Sequence, residues 1–350
     1  MFHPSTYTAE SVTSGHPDKI CDQISDAILD AYLAQDPKSR VAMETFGAHG
    51  LLVIGGEVTS LATVDAESIA RAVYRDIGYT GELNIVTNIV KQSPDIAQGV
   101  DTGGAGDQGM MYGYATDETP EYLPPAVVYS HRLSSGLERL RRTDPRFSWL
   151  RPDGKTQVTL ENGKIKTILI STQHEHGMDQ QVIKDELTRG LIQPTIGDIS
   201  KVTLLVNPTG IFVSGGFEAD TGLTGRKIMV DTYGGLIPHG GGAFSGKDPT
   251  KVDRSAAYMA RFVAKNLVAN QLAKQCLVSV AYAIGQAEPV MIEAINEKGE
   301  SLGSIVKEKF DFRPLAIIER LQLRRPIYRA AASYGHFGKE GLAWEAVAEL

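Results

Sequence analysis

A pattern of two predicted strands followed by a helix occurs three times and constrains the fold of this chain more than any other feature. Apolar runs and a 3.6-residue apolar period place the three segments at 41–77, 155–192 and 277–321. The segments begin about 115 residues apart, a spacing typical of repeated structural units. We therefore expect an α/β fold of the α+β type, with three similar units in a pseudo-threefold arrangement, each a β-sheet with helices on one face. The opposite face of each sheet must then be covered, either by another part of the chain or by a second copy.

The connections between the predicted elements carry two further signals. Asn162-Gly163, between two apolar segments, predicts a tight hairpin. Residues 91–109 are polar and Gly-rich and are the best candidate for a mobile loop. Within them, 104–109 has the spacing GxGxxG. Because no predicted strand leads into it and no clear helix leaves it, we do not predict a dinucleotide-binding Rossmann site.

Composition limits the class of protein and the kind of ligand. The chain has 350 residues, 42% of them hydrophobic, as expected of a globular protein. It has no apolar run long enough to span a membrane and no signal peptide pattern, so we expect neither insertion nor secretion. Cys21 and Cys276 fit neither a disulfide framework nor a zinc site, which favours a cytoplasmic protein. A net charge of −7 argues against nucleic-acid binding, so a polyanionic ligand must be held by a local cluster of Lys and Arg.

The strongest chemical signal is the glycine-rich segment 239–253 together with the predicted helix that follows it. Glycines let the backbone approach a ligand closely and turn N–H groups toward anionic oxygens, and Lys247 and Lys251 add positive charge. Thr250 to Asp253 has the pattern of a capping box at the start of the helix. Such a segment would hold a phosphate chain, and the structural alternative is a Gly-rich surface turn with solvated lysines.

The same segment contains part of a P-loop pattern. Gly241 and Gly246-Lys247 have the Walker spacing, but Asp248-Pro249 follows where Ser or Thr should bind magnesium. Pro249 also delays the helix that should begin directly after the lysine. We therefore do not predict a P-loop NTPase.

Two other polar patterns are interpreted as structural. Asp22, Asp26 and Asp30 lie four residues apart in a predicted helix, an arrangement that is most often a solvated face. His174 and His176 have no third ligand nearby, so we expect polar surface there rather than a metal site.

The polar residues in Gly- or Pro-marked turns form a coherent set. The basic members are His16, Lys19, Lys155, Arg226, Lys227, Lys247 and Lys251, and the acidic members are Glu10, Asp18, Glu44, Glu57, Asp107, Asp153, Asp220 and Asp253. Many cations with a few isolated carboxylates suit a metal–polyphosphate substrate, because magnesium takes one or two protein carboxylates and fills its other positions with phosphate oxygens and water. No Ser-His-Asp or Cys-His combination is recognisable in the sequence, so covalent nucleophilic catalysis lacks support.

Eight motifs, in order from residue 10 to residue 338, resemble the S-adenosylmethionine synthetase (methionine adenosyltransferase) family. They are Glu10-Ser-Val with Gly15-His-Pro-Asp-Lys19, Lys91-Gln-Ser-Pro-Asp-Ile96, Gly104-Ala-Gly-Asp-Gln-Gly109, Ser171-Thr-Gln-His174, Asn207-Pro-Thr-Gly210, Gly222-Leu-Thr-Gly-Arg-Lys227, His239 to Asp253, and Tyr334-Gly-His-Phe-Gly338. The resemblance covers nearly the whole chain.

The resemblance implies three units, which we place at 1–98, 107–217 and 218–350, with segments exchanged between them and a short active-site loop at 99–106. It also implies a homodimer packed through flat sheet faces, with active sites shared between the subunits, and often a tetramer of two dimers. The implied reaction is attack of the methionine sulfur on C5′ of ATP. This releases triphosphate, which is then cleaved to pyrophosphate and phosphate.

Site residues carry over from the matching motifs. The implied catalytic residues are His16, beside the breaking C5′–O bond, and the polyphosphate contacts Lys155, Arg226, Lys227 and Lys247. Asp18 and Asp253 resemble ligands of Mg²⁺, with two ions expected per site, and Glu44 resembles the ligand of K⁺. The implied substrate residues are Glu57, Gln92, Asp107, Asp220 and Lys251 for methionine and ribose, Asp153 and Phe212 for the nucleoside, and Ala243.

The chemistry agrees with these roles. A thioether has no proton to remove, so the barrier lies in aligning sulfur with C5′ and in stabilising charge on the leaving triphosphate.

The sequence departs from the family pattern at two places. Ile211 stands where the family usually has Arg, and only Thr102 and Gly103 separate Gly99-Val-Asp101 from Gly104, where many relatives carry several more residues.

Two other functions stay open. One is a different ATP-dependent transferase on the same fold, with another acceptor. The second is a catalytically inactive homologue that serves as a binding or scaffold subunit. Loss of His16, Asp18 or one of the lysines would favour the inactive homologue, and all of them are present.

Overall fold

The computed structural model describes residues 4–92 and 103–350. Its strands are β1 (Thr6–Val12), β2 (Arg40–Ala48), β3 (Leu51–Thr59), β4 (Asn84–Lys91), β5 (Gly109–Thr116), β6 (Leu150–Glu161), β7 (Lys164–His174), β8 (Thr203–Val206), β9 (Gly222–Leu223), β10 (Gln275–Tyr282) and β11 (Met291–Asn296). Its longer helices are α1 (Pro17–Gln35), α2 (Ala66–Ile77), α3 (Pro125–Thr143), α4 (Gln180–Leu187), α5 (Val252–Ala269), α6 (Gly303–Lys309) and α7 (Pro314–Arg320).

The described strands form three sheets. The first has the order β4-β3-β2-β9, the second β1-β6-β7-β8 and the third β11-β10-β5. Helices α1 and α2 pack on the first sheet, α3 on the second, and α5 on β5 and β10 of the third. This confirms the predicted α/β fold of three units, each a sheet with helices.

Each sheet includes a strand from a distant part of the sequence. β1 pairs antiparallel with β6, and Thr6 lies opposite Glu161. β9 pairs with β2, and β5 pairs with β10. The exchanged strands β1 and β9 bring the turns that follow them to the start of α1.

Glycines allow two local arrangements that the fold needs. The hairpin between β6 and β7 turns at Asn162 and Gly163, with φ of +50° and +72°, the left-handed conformation that a type I′ turn requires. A Cβ added to Gly113 of β5 would lie 2.0 Å from the carbonyl carbon of Ala260. Helix α5 therefore packs directly on the backbone of β5.

Buried apolar side chains form two core clusters. The larger joins α1, α2 and α5 to the first and third sheets, with Ile24 and Val263 among its fully buried members. The smaller lies between α3 and the second sheet and includes Leu133 and Ile168. Over the two described ranges, no helix combines the length and the apolar character needed to span a membrane.

Among residues 4–92 and 103–350, the faces of the first and third sheets opposite the helices carry exposed apolar side chains. On the first sheet, Phe46 lies opposite Val53, which lies opposite Val86, so these side chains share one face. Phe46 and Val86 are 39% and 48% exposed. On the third sheet, Met110 and Met291 are also exposed. Exposed apolar side chains grouped on one face mark an interaction surface.

The prediction that the aspartates of α1 form a solvated face is wrong. Asp22 and Asp26 are fully buried. Lys19 Nζ lies 2.9 Å from Asp22, and Arg254 Nη2 lies 2.7 Å from Asp26. The period of the pattern was correct, but these carboxylates face buried cations rather than water.

Two further local predictions are also wrong. His174 is buried, and its Nε2 accepts a hydrogen bond from Phe212 N at 3.0 Å, so it is a structural histidine, whereas His176 is exposed as predicted. Lys251, and not Thr250, precedes the first residue of α5. The Thr250 hydroxyl donates to Asp248 instead of capping the helix, because Asp248 is buried directly beside it.

Candidate active site

One cluster of predicted site residues lies at the N-terminus of α1. His16 is the N-cap residue, and its Nδ1 accepts a hydrogen bond from Asp18 N at 3.2 Å. Burial, followed by the positive charge of Lys227, lowers the pKa of His16 to about 3, so the imidazole is neutral near pH 7. Because Nδ1 accepts, the ring proton is on Nε2. His16 therefore offers one N–H donor.

Asp18 joins the start of α1 to the turn that follows β9. The carboxylate is buried, and its Oδ1 accepts a hydrogen bond from Leu223 N at 2.9 Å. Lys227 Nζ lies 2.6 Å from Oδ2, and Arg226 Nε lies 3.7 Å from Oδ1. The partial positive charge of the helix N-terminus acts in the same direction as these two cations. The α1 cluster (His16, Asp18, Arg226 and Lys227) thus combines one buried anion with several positive groups.

Strand β6 contributes Lys155 and Asp153 next to this cluster. Lys155 is exposed, its Nζ lies 3.6 Å from Glu10, and its charge contributes to the lowered pKa of His16. Asp153 is buried, and its Oδ2 accepts a hydrogen bond from Gly216 N at 2.9 Å. Burial raises the pKa of Asp153 to about 6. Of Lys155 and Asp153, only Lys155 therefore presents an accessible charge.

A second cluster lies at the N-terminus of α5. Lys247 Nζ is 2.6 Å from Asp253 Oδ2, and both side chains are partly accessible. The backbone of Lys247 forms an isolated bridge with Ala42, so the glycine-rich segment continues the first sheet beside β2. Lys251, in contrast, is paired with the buried Asp248. The α5 cluster (Lys247 and Asp253, with Ala243) therefore presents one lysine and one carboxylate.

Two glycines of segment 239–253 are fixed by close contacts. A Cβ at Gly240 would lie 1.6 Å from the carbonyl oxygen of Met110, and a Cβ at Gly242 would lie 2.2 Å from Asp253 Oδ1. Any other residue would clash with β5 or with the carboxylate. The backbone therefore passes directly against Asp253, a contact within the protein that the sequence analysis did not predict.

The two clusters meet at Gly225 and Ala243. A Cβ at Gly225 would lie 2.5 Å from Ala243 Cβ, and φ at Gly225 is +82°. Gly225 directly precedes Arg226 and Lys227, and Ala243 lies in the glycine-rich segment that leads to Lys247. This contact joins the segments that carry three of the four predicted polyphosphate residues.

Glu44 and Glu57 lie on the open face of the first sheet. Glu57 is opposite Ala42, which is bridged to Lys247, so two strand spacings, about 10 Å, separate Glu57 from the lysine backbone. Glu44 is two residues from Ala42 along β2, and therefore on the same face, and it is exposed. Gln92 follows β4 and is buried. Glu44 directly precedes Thr45, which exchanges hydrogen bonds with Thr224 in the segment that leads to Arg226, so Glu44 lies between the α1 and α5 clusters.

The other predicted substrate residues have local partners. The carboxylates of Asp107 and Asp220 each accept a hydrogen bond from the next backbone N–H, at 2.7 Å. The negative charge of Asp220 contributes to the raised pKa of Asp153. Phe212 N donates to His174, as described above. Residues 93–96 of the motif at 91–96, and the part of the predicted loop from 99 to 102, lie outside the described residues.

The carboxylates fit a metal that also binds substrate. In residues 4–92 and 103–350, no group of three or more His, Cys, Asp or Glu could hold a metal ion. Asp18 and Asp253 are single carboxylates, and each is bonded to a lysine. Magnesium accepts one or two such ligands when phosphate oxygens and water complete its shell. The donor set suits Mg²⁺ on a polyphosphate better than a metal held by protein alone.

The sequence analysis missed the role of Asp22 and Asp26. Asp22 Oδ1 accepts a hydrogen bond from Gly225 N, and Asp26 Oδ1 accepts one from Gly246 N, both at 2.8 Å. The signal was available, because Asp18, Asp22 and Asp26 follow one another at four-residue intervals.

Three sheet-and-helix units, with lysines, an arginine and single carboxylates at two helix N-termini, define an α/β protein suited to a metal–polyphosphate substrate. Sequence models of the N-terminal, central and C-terminal domains of S-adenosylmethionine synthetase match residues 4–97, 102–212 and 214–346. Together they cover almost the entire chain. The chain therefore belongs to the S-adenosylmethionine synthetase family.

Curated relatives named S-adenosylmethionine synthase are similar over nearly their whole length. The protein from Pseudothermotoga lettingae is 53% identical, with 97% of this chain and 96% of the relative covered. The proteins from Desulforudis audaxviator and Thermus thermophilus are 52% and 49% identical, each with 97% of this chain and 95% of the relative covered. The alignment with the P. lettingae protein spans 381 positions, more than the 350 residues of this chain, so that relative has residues that this chain lacks.

Proposed function

We propose that this chain synthesises S-adenosylmethionine from ATP and L-methionine. Its family and the names of its relatives agree with this activity. The observation that carries the proposal is the contact between the α1 and α5 clusters at Gly225 and Ala243. It brings the backbone that carries Arg226 and Lys227 against the segment that carries Lys247. Such a concentration of cations suits the triphosphate of ATP.

The reaction forms one bond and breaks another at a single carbon. A lone pair of the methionine sulfur forms the S–C5′ bond, and the C5′–O bond breaks with its electron pair leaving on triphosphate. The sulfur becomes a positively charged sulfonium without losing a proton, so no general base is needed. Water then cleaves the triphosphate to pyrophosphate and phosphate. The protein's task is alignment and stabilisation of the leaving anion.

We assign that stabilisation to His16, Lys155, Arg226, Lys227 and Lys247. The neutral His16 ring, with its proton on Nε2, can donate a hydrogen bond to the oxygen that leaves C5′. Lys227 and Lys247 each have a carboxylate partner within 2.6 Å, which orients the ammonium group. A bound phosphate would share these ammonium groups with the carboxylates.

We propose that Asp18 and Asp253 hold Mg²⁺, with two ions per site, and that Glu44 holds K⁺. When bound, Mg²⁺ would neutralise phosphate charge and polarise the leaving group. Asp18 lies beside Lys227 and Asp253 beside Lys247, so each carboxylate adjoins a proposed phosphate contact. Glu44 is exposed on the sheet face away from the core, so in a single copy of the chain its carboxylate is accessible to an ion.

The remaining predicted residues are proposed to bind the rest of the two substrates. Glu57, Gln92, Asp107, Asp220 and Lys251 would hold methionine and the ribose, Asp153 and Phe212 would contact the nucleoside, and Ala243 would line the site. Asp153 and Asp220 support this grouping, because each lies near the turn that leads to β9.

We further propose a homodimer with active sites shared between the subunits, and pairing of dimers into a tetramer as its larger form. The open face of the first sheet carries the apolar Phe46 and Val90 beside Glu44 and Glu57. A second copy that covers this face would bury apolar surface and enclose the carboxylates. A cytoplasmic location is part of the same proposal.

The test is mass spectrometry of the products formed from ATP, methionine, Mg²⁺ and K⁺. We expect S-adenosylmethionine, pyrophosphate and phosphate in equal amounts. ATP cleavage that depends on another acceptor would indicate a different transferase. Binding of ATP without any product would indicate an inactive homologue, and either result would refute the proposal.

A further inference from the structure

Helix α1 carries a ladder of four aspartates whose carboxylates accept hydrogen bonds from the backbone of distant segments. We call it the acidic ladder, and its members are Asp18, Asp22, Asp26 and Asp30. Asp22 accepts from Gly225 N, and Asp26 accepts from Gly246 N, both at 2.8 Å. Asp30 accepts from Tyr328 N at 3.0 Å and from Arg329 N at 2.9 Å. The ladder therefore connects one helix face to three other parts of the chain.

Asp22 and Asp26, the middle members of the acidic ladder, bind the two segments that carry the proposed phosphate contacts. Gly225 directly precedes Arg226-Lys227, and Gly246 directly precedes Lys247. Residues four apart on an α-helix share a face and are separated by about 6 Å along its axis. Asp22 and Asp26 therefore fix the two backbones at neighbouring levels of a single rigid element.

Both anchors are buried and have strong partners. Asp22 lies 2.9 Å from Lys19, which also pairs with the buried Asp231. Asp26 binds Arg254 through two hydrogen bonds, at 2.8 and 2.7 Å. A buried carboxylate with such partners has little freedom to move, because breaking its bonds would leave an unpaired charge in the core.

Gly225 and Gly246, whose N–H groups donate these hydrogen bonds, are also restrained by close contacts. A Cβ at Gly246 would lie 1.8 Å from the carbonyl oxygen of Met43, and φ at Gly246 is +81°. A Cβ at Gly225 would lie 2.5 Å from Ala243 Cβ, as described above. Each glycine is thus held on one side by an aspartate and on the other by a neighbouring segment.

We propose that Asp22 and Asp26 are positioning residues for the triphosphate, which set the spacing of Arg226 and Lys227 relative to Lys247 without touching substrate. This inference rests on the proposed function. An error of about 1 Å in the position of a catalytic group can cost on the order of 100-fold in rate. The positioning role therefore predicts a kinetic defect that differs from a general loss of stability.

The decisive variant is Asp22→Asn. Its amide has an NH₂ group in place of one carboxylate oxygen, so either Gly225 N or Lys19 loses its acceptor at this residue, and Lys19 still pairs with Asp231. We expect kcat/KM for ATP, and for hydrolysis of added inorganic triphosphate, to fall by about 10- to 100-fold. The KM for methionine should stay within about twofold, because the altered backbone is that of the proposed phosphate contacts. Both are measured well below the melting temperature of the variant.

Two further variants distinguish the positioning effect of Asp22 from the effect of its charge and from a general loss of stability. Asp22→Glu keeps the charge beside Lys19 but moves the acceptor by one methylene. Compared with Asp22→Asn, its melting temperature should return closer to that of wild type, while its triphosphate kinetics should recover less. Asp30→Asn is the matched control, since it weakens the same kind of contact on the same helix, but to Tyr328. It should lower the melting temperature while kcat/KM for ATP stays within about twofold of wild type.

The outcomes distinguish this inference from the proposed function. If wild type makes no S-adenosylmethionine, the proposed function is wrong. If wild type is active and Asp22→Asn keeps wild-type triphosphate kinetics, or if Asp30→Asn loses as much activity as Asp22→Asn, the positioning role is wrong.

If Asp22→Asn does not fold, Asp22→Glu carries the test, because it keeps the charge beside Lys19 and displaces the acceptor of Gly225 N. A severalfold loss in triphosphate kinetics is expected, and unchanged kinetics would overturn the inference.

Discussion

The α1 cluster and the open face of the first sheet hold their charged groups in different ways. Asp18 is buried and bonded to Leu223 N and Lys227. Glu44, in contrast, is exposed on a sheet face that also carries the exposed Phe46. One copy of the chain orients the first carboxylate completely, whereas it leaves the second on an open surface.

This difference separates two stages in building the proposed site. Electrostatic stabilisation works best when dipoles and charges are fixed before the reaction begins. Within one chain, hydrogen bonds already fix Asp22, Asp26 and Asp18 of the α1 cluster. Groups on the open face gain a fixed geometry only when something covers them. The five predictions below test this division, from the largest expected effect to the smallest.

The largest effect is expected from Lys247→Ala in the α5 cluster. Loss of one donor to a developing anion typically lowers the rate by about 100- to 1,000-fold. The side chain is partly exposed, so the melting temperature should change little. Steady-state kinetics and a melting curve are the measurements.

The matched control is Lys164→Ala, an exposed lysine at the β6–β7 hairpin, which should keep wild-type kinetics. Activity of Lys247→Ala within tenfold of wild type, with an unchanged melting curve, would show that Lys247 does not contact the leaving group.

Asp18→Asn and Asp253→Asn should each raise the Mg²⁺ concentration needed for half-maximal rate by about tenfold, equivalent to about 1.4 kcal/mol. Each change removes an anionic ligand from a hard cation. Asp18→Asn should also lower the melting temperature, because Asp18 is buried and bonded to Lys227. A magnesium titration of the rate checks both, and an unchanged requirement in both variants would contradict the assignment.

Mixing two inactive variants tests the shared site. Lys227→Ala alters the α1 cluster, and Glu57→Ala alters the open face. If these residues serve one site from opposite subunits, random mixed dimers should recover about one quarter of wild-type activity, because half of the dimers would contain one intact site of two. Co-expression with two different tags gives the mixed species. Recovery of no activity, or sedimentation of the active enzyme as a monomer, would refute the shared site.

Glu44→Gln should abolish stimulation by K⁺ while Mg²⁺-dependent activity remains. Glu44 is exposed, so the free energy of unfolding should change by less than about 0.5 kcal/mol. The measurement is the ratio of rates with and without K⁺, and a ratio equal to that of wild type would remove Glu44 from the ion site.

The smallest effect concerns the pH dependence of stability. The pKa of His16 is about 3 in the folded chain, below its ordinary value of 6.5, so the unfolded chain binds this proton more readily between those values. The imidazole therefore destabilises the fold progressively as the pH falls below 6.5. His16→Gln, which cannot titrate, should lose less melting temperature than wild type between pH 7 and pH 4.5. Equal losses would show that the ring is accessible to protons.

Local and family patterns in the sequence predicted much of this fold. Asn162-Gly163 specified its hairpin because few residues adopt the left-handed turn that the strands require. The glycines at 240 and 242 were predicted to let the backbone approach a ligand, which stays a prediction, and in the structure they pack closely against Met110 and Asp253. The fold class and the family are confirmed. The assigned roles of site residues, the ions and the dimer stay predictions.

The sequence could not reveal which polar groups are buried together. Asp22 and Asp26 have the spacing of a solvated stripe, and their cations, Lys19 and Arg254, lie on α1 itself and more than two hundred residues away. Helix periodicity identifies a face but not its neighbour. The capping box at Thr250 failed for a local reason, since Asp248, two residues earlier, accepts the hydrogen bond of the hydroxyl. The pair of Asp26 with Arg254 is long-range, and no local pattern contains it.

The exchange of β1 into the second sheet has a consequence for biosynthesis. Thr6 lies opposite Glu161, so β1 has no partner in this sheet until about 150 further residues have been made. At about 5 to 20 residues per second, that interval lasts roughly 8 to 30 s. During this time the strand edge is open to pairing with other chains. The emerging N-terminal segment should therefore depend on chaperones, and fragments that end before β6 should aggregate instead of folding as an independent domain.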